Sequence, residues 1–186
     1  LKKILIAILL SFASCKSIFR QKYVEPSCEL VSVENETPVD SSSFFQVHYK
    51  SFAKSAEPGI MWYSRGNGSA RIAVFQVTNA DIFGSVVSES GHKQSISFFG
   101  EEKQIYDRLL SDIKYLNVVQ DCKESLPTHV TVTDVYIKDK ISINFTYYSF
   151  HSPFKLGQTS RMNLGNAYKL MELTYYKMHN PNSVKK

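Results

Sequence analysis

The chain has 186 residues, of which 43% are hydrophobic and 21% charged, and its formal net charge is +5. These proportions exclude a largely disordered chain, and the length suits one domain with a substantial core. Basic residues are scattered among acids without forming a run, which excludes a nucleic-acid footprint, and 11 Tyr and 12 Phe point to aromatic-rich sheet surfaces.

At the start of the chain, Lys2 and Lys3 precede an apolar run from Ile4 to Leu10, and the small residues Ala13 and Ser14 lead into Cys15. This is the layout of a secretory signal. It is too short for a membrane span, which needs about 20 apolar residues. The segment's end, Phe12-Ala13-Ser14-Cys15, resembles the lipobox of bacterial lipoproteins, with Phe12 where that family prefers Leu, Val or Ile. The resemblance covers residues 1–15 alone. It implies that residues 1–14 are a removed signal peptide, that Cys15 is the lipid-attachment residue and new N-terminus, and that the protein is anchored in a bacterial cell envelope. Some surface lipoproteins carry an acidic run after the acylated cysteine. None is present at Lys16–Phe19, so the resemblance leans towards the outer membrane facing the periplasm. An ordinary cleaved secretion signal is the alternative.

Residues 16–27 show neither the period of a strand nor that of a helix and end in Pro26-Ser27, so residues 15–27 read as a lipidated N-terminus and tether. A short strand is expected at Cys28–Val33, a loop at Asn35–Ser43 and a strand at Phe44–Phe52. Ile60–Ser64 and Ala70–Val77, rich in β-branched and aromatic residues, flank Asn67-Gly68, the strongest short-range signal of a hairpin. Two short strands follow, Ser85–Glu89 and Gln94–Phe99, around a Gly91-His92 turn. The spacing of Ile105, Tyr106, Leu109, Leu110, Ile113 and Leu116 predicts an amphipathic helix over Glu101–Leu116, with Glu101 and Glu102 favourable at its positive end. A second hairpin is expected from His129–Ile137 and Ile141–Phe150, then an aromatic loop over Ser149–Gly157. A second amphipathic helix over Asn163–Met178 is stopped by Asn180-Pro181. The elements predict an α+β domain over residues 28–180, an antiparallel sheet built from hairpins with two amphipathic helices packed on it, and a flexible tail at 181–186.

With Cys15 acylated, Cys28 and Cys122 are the candidate disulfide partners in a compartment where disulfides persist. Two buried free thiols are the other reading. The five histidines, at 48, 92, 129, 151 and 179, include no closely spaced pair of the kind that preforms a zinc site, so no metal and no cofactor is assigned. Ser111–Lys114 and Ser51–Lys54 both match the loose S-x-x-K pattern, but the partner elements of that chemistry are missing, as are a G-x-S-x-G elbow and a phosphate-binding loop. Asp134 interrupts a strand and reads as a bulge or edge marker. Three N-x-[ST] sequons, at Asn35, Asn67 and Asn144, carry little weight in a bacterial setting. No catalytic residue is assigned.

The remaining signal is aromatic. Trp62 and Tyr63 lie on the first hairpin, and Tyr147, Tyr148, Phe150 and Phe154 crowd the last strand and its loop. Neighbours on a strand point to opposite faces, so one of each adjacent pair leaves the core face. These six residues are then either a surface for sugar, lipid or a protein partner, or a second face covered by a helix. The leading functional expectation is a lipid-anchored envelope protein with a non-catalytic binding or scaffolding domain, its partners being the membrane through Cys15 and an envelope protein, lipid or glycan. A handler of hydrophobic ligands with an apolar groove is the alternative, and an enzyme with a dispersed site comes third.

Overall fold

The computed structural model describes residues 28–33, 40–66, 68–122, 131–150 and 152–182. The signal, Cys15, the tether, Asn35, Asn67, His129, His151 and residues 183–186 lie outside them. The strands are β1 (Cys28–Ser32), β2 (Gly59–Gly66), β3 (Ser69–Val77), β4 (Ile82–Ser88), β5 (Lys93–Ile96), β6 (Leu116–Cys122), β7 (Val132–Lys138) and β8 (Ile143–Ser149). The helices are α1 (Ser43–Lys54), α2 (Gly100–Ser111), α3 (Gln158–Leu164) and α4 (Asn166–His179). The class is α+β, and among the described residues the strands form one sheet in the order β1-β6-β8-β7-β2-β3-β4-β5.

The sheet is mixed and not wholly antiparallel. β7 leaves one place empty beside β6, and β8 turns back to fill it, so β6 and β8 run parallel while β7 and β8 run antiparallel. β6 itself departs from the sequence expectation. The helix expected over Glu101–Leu116 stops at Ser111, and Leu116 already begins a strand whose Val118 is buried beneath the helices. β2 and β3 pair with Gly66 opposite Ser69 across the Asn-Gly turn, where Gly68 has φ of 73°.

Phe44–Phe52 is a helix, not the expected strand. The Ser42 hydroxyl accepts the Phe45 N–H at 3.3 Å, and the Asp40 carboxylate in turn accepts the Ser42 N–H at 2.7 Å, so α1 starts from a polar cap. Phe45, Tyr49 and Phe52, at spacings of four and three, then fall on one helical face. Phe45 and Phe52 are buried against Met61, Tyr63, Ile72 and Tyr136. At the far end of α1, the Lys138 ammonium donates to the Ser55 carbonyl and lies 5.9 Å from the Phe52 ring.

The opposite face of the sheet carries Ile60, Trp62, Phe75, Val135, Ile137 and Tyr147, packed beneath α2 and α4. The single helix expected over Asn163–Met178 is broken at Gly165, whose φ of 53° is the left-handed conformation that glycine accepts most readily; α3 ends there and α4 begins. The start of α2 is joined to the end of α4 by a buried ion pair. Lys177 Nζ lies 2.8 Å from Glu102 Oε2 and also donates to the Ser97 carbonyl at 2.9 Å. Glu102 Oε2 accepts the Phe99 N–H at 2.9 Å, which caps the helix start.

A disulfide joins Cys28 to Cys122, which face each other in the β1–β6 register. It staples the edge strand to the neighbour that carries it, at the residue where the expected tether gives way to the domain.

Candidate functional site

Beside the β2–β3 hairpin the sheet is left uncovered by the end of α4, and a cleft of about 290 Å³ opens there. Its floor is Trp62, the chain's single tryptophan. The indole is held by a layered aromatic stack. Phe154 lies nearly parallel to it at 6.5 Å, Tyr175 is tilted against it at 5.7 Å, and Phe154 meets Tyr175 edge-on at 4.7 Å. The indole N–H donates to Ser64 Oγ at 2.7 Å, which fixes the ring's orientation and leaves the serine proton available to an incoming acceptor.

The walls mix polar side chains with Val86 and Met178. Ser64 and Arg71 are register partners across β2 and β3 and project from the same face. Ser69, Thr131 and His179 complete the rim. His179 stacks on Tyr175 at 4.2 Å, with Nδ1 engaged by the Tyr175 carbonyl at 2.9 Å. Tyr175 lines the cleft and is 40% exposed. Arg71 is exposed and its side chain makes no ion pair or hydrogen bond to another described residue.

Arg65 borders this cleft and also links it to a second polar cluster, on the α1 face of the sheet. The guanidinium pairs with Asp40, and Tyr63 donates its hydroxyl proton to the same carboxylate at 3.0 Å. Tyr148 lies close enough to Arg65 to feel its charge, which opposes the upward push that burial gives the tyrosine's pKa. Between Tyr63 and Tyr148, in register with both, lies Asp134. It is 1% exposed, and neither carboxylate oxygen has a hydrogen-bond partner among the described residues. Asp134 therefore marks neither an edge nor a bulge. β7 is an interior strand, and its register shift falls at Ile137/Lys138.

Burial without partners disfavours the charged form and pushes the Asp134 pKa from 3.8 up to about 7, against the opposing pull of Arg65. In the folded chain the group thus keeps a proton that the unfolded chain releases. Its contribution to stability is complete below about pH 4 and is lost as pH rises towards 7. Asp134→Asn, which is neutral at every pH, is expected to be more stable than wild type at pH 8 by about 2–4 kcal/mol, with the gap closing at pH 4. Urea unfolding of both chains at the two pH values measures it; a gap that does not change with pH contradicts the assignment.

The six aromatic residues singled out in the sequence do not form one exposed surface. Trp62 and Tyr63 are each 2% exposed and Tyr147 is 1% exposed, because helices cover both faces of the sheet. The Tyr147 hydroxyl donates to Gln120 Oε1 within the core. Trp62 and Phe154 come together at the cleft, and Tyr63 and Tyr148 meet at the Arg65 cluster. Phe150, 38% exposed, packs edge-on against Tyr148 at 5.1 Å. Arg71, Arg65, Tyr175 and Asp40 were not singled out from the sequence. The Asn-Gly hairpin held the signal for Arg71, since a two-residue turn places it opposite Ser64.

No group of three or more metal-ligating side chains is found among the described residues. The histidines at 48, 92 and 179 pair with no carboxylate there. Partial burial lowers the pKa of His48, assisted by Lys93. No helix of the described residues is long and apolar enough to cross a membrane.

Fold and site together define a disulfide-stapled α+β domain with helices on both faces of its sheet and an aromatic-floored, basic cleft beside the β2–β3 turn. Comparison of the chain with protein-family models, curated proteins and solved structures gives no match.

Proposed function

We propose that the chain is a lipid-anchored protein of a bacterial cell envelope, acylated at Cys15, whose residues 28–180 form a binding domain without catalytic chemistry. The observation that carries the reading is the Cys28–Cys122 bridge. Disulfides persist in oxidising compartments and are rare in the cytosol, so the bridge and the lipobox-like end at residues 1–15 agree on a position outside the cytoplasm. The outer membrane facing the periplasm is the proposed location. The bridge also holds the edge strand on which an anchored domain would hang. Two or more acyl chains make such an anchor stable, since one alone is marginal.

Under the same proposal the sheet is assembled from the β2–β3 and β7–β8 hairpins. α2 and α4 lie on it through apolar stripes that include Tyr106, Leu109 and Leu110 in one and Leu170 and Met171 in the other. The second reading is a handler of hydrophobic ligands. It is favoured by a groove of about 640 Å³ beside α3, bordered by Ile113, Leu116, Tyr115 and Met162, the last two 74% and 73% exposed.

Metabolic labelling with a fatty-acid analogue tests the anchor. Wild type is expected to take up the label and Cys15→Ala to lose it; equal labelling of both chains sinks the proposal.

A further inference from the structure

We infer that the cleft floored by Trp62 binds a sugar ring bearing a carboxylate, with Arg71 as the residue that recognises the charge. The inference deepens the reading of residues 28–180 as a binding domain and rests on it.

Four features of the cleft converge on that chemistry. First, it has an excess of positive charge. Arg65 and Arg71 both border it, and no Asp or Glu is among its described lining residues. Arg65 is already neutralised by Asp40, whereas Arg71 is exposed with no partner among the described residues. A planar guanidinium offers a carboxylate two parallel N–H donors, a geometry that a point charge cannot supply.

Second, the rim is rich in hydroxyls. Ser64 uses one lone pair on the indole N–H and retains its own proton, and Ser69 and Thr131 stand on the same rim. Such short donors and acceptors match the hydroxyls of a sugar. Third, Tyr175 lines the cleft and is 40% exposed, so the cleft offers an aromatic side chain, the kind of surface on which the apolar face of a pyranose packs. The aromatic stack behind it, Trp62 and Phe154, holds that ring in place. Fourth, the volume of about 290 Å³ sits at the small end of the usual range for ligand pockets, which suits one sugar residue rather than a long peptide or a lipid tail.

The single tryptophan makes the site directly observable. Trp62 is too buried to stack on a ligand but close enough to report one, so binding at this cleft changes its emission. Full-length Cys15→Ala chain is titrated with galacturonate and trigalacturonate, with galactose and acetate alongside, by calorimetry and tryptophan fluorescence. The expected result is saturable binding of the uronates with a change in Trp62 emission, and affinity for galactose and acetate weaker by about tenfold or more. Arg71→Gln, introduced at an exposed strand position, is expected to weaken uronate binding by about tenfold or more, bringing it near the level of galactose. Tyr175→Ala is expected to weaken both sugars. The inference is overturned if uronates bind no more tightly than galactose, if Arg71→Gln binds as well as its parent, or if binding leaves Trp62 emission unchanged. Circular dichroism of each variant establishes that it is folded. The titration is independent of acylation: an anchored chain that ignores uronates loses this inference alone, and a uronate-binding chain that is never acylated loses the anchor alone.

Discussion

Replacing Cys28 and Cys122 together with serine is expected to lower the free energy of unfolding by about 4.5 kcal/mol. The bridge closes a loop of sequence separation 94, and in the chain-entropy model a loop of that size gives roughly this stabilisation by restricting the unfolded ensemble. The effect falls on the whole fold, since β1 pairs with β6 at the edge of the sheet and the staple lies at its first residue. Urea unfolding of the double variant, and of wild type in reductant, measures it. The two are expected to agree, and a reduced wild type as stable as the oxidised chain contradicts the account.

Lys177→Met is expected to cost about 3–5 kcal/mol, the usual result of removing one partner from a buried ion pair. The Lys177 side chain is 2% exposed and the Glu102 side chain 9%, so the carboxylate left behind has little water to turn to. The ammonium also lies 5.3 Å from the Phe98 ring and 5.1 Å from the Phe99 ring, so its loss loosens the segment that leads into α2. Combining Lys177→Met with Glu102→Leu removes the stranded charge and is expected to recover much of the loss. Equilibrium unfolding of the single and double variants provides the check. A single variant within about 1 kcal/mol of wild type would show that the pair does not tie α2 to α4.

Local patterns that agreed with the tertiary fold were legible in the sequence. The runs Ile60–Ser64 and Ala70–Val77 fall within β2 and β3, which pair antiparallel, and Tyr106, Leu109 and Leu110 are buried residues of α2. Two elements were not legible, for different reasons. In α1, aromatic and β-branched residues such as Phe44, Phe45, Val47 and Tyr49 carry a sheet propensity that hides the helical spacing of Phe45, Tyr49 and Phe52. Burial against Tyr63 and Tyr136 overrides that propensity. In β6, Leu116 continues the apolar spacing of the preceding helix, so the strand start resembles another helical turn; pairing with β1 and β8 makes it a strand.

The missed α1 also governs what could be seen of the site. With α1 on the second face of the sheet, adjacent residues such as Trp62 and Tyr63 are buried together, the covered-face alternative that the alternation of the strand left open. The cleft is visible only when the end of α4 is placed over the hairpin, because Tyr175 and His179 lie more than a hundred residues from Ser64 in the chain. Asp134 escaped for the same reason: an acid inside a strand pattern suggests an edge until the strands on both sides of it are known.

The central claim, an acylated Cys15 tethering a disulfide-stapled domain outside the cytoplasm, is tested most directly by the mass of the protein purified from envelopes without reductant. The account predicts a chain beginning at Cys15, heavier by its acyl groups, with Cys28 and Cys122 joined. A chain that retains residues 1–14, with an unmodified Cys15 and free thiols at Cys28 and Cys122, contradicts it.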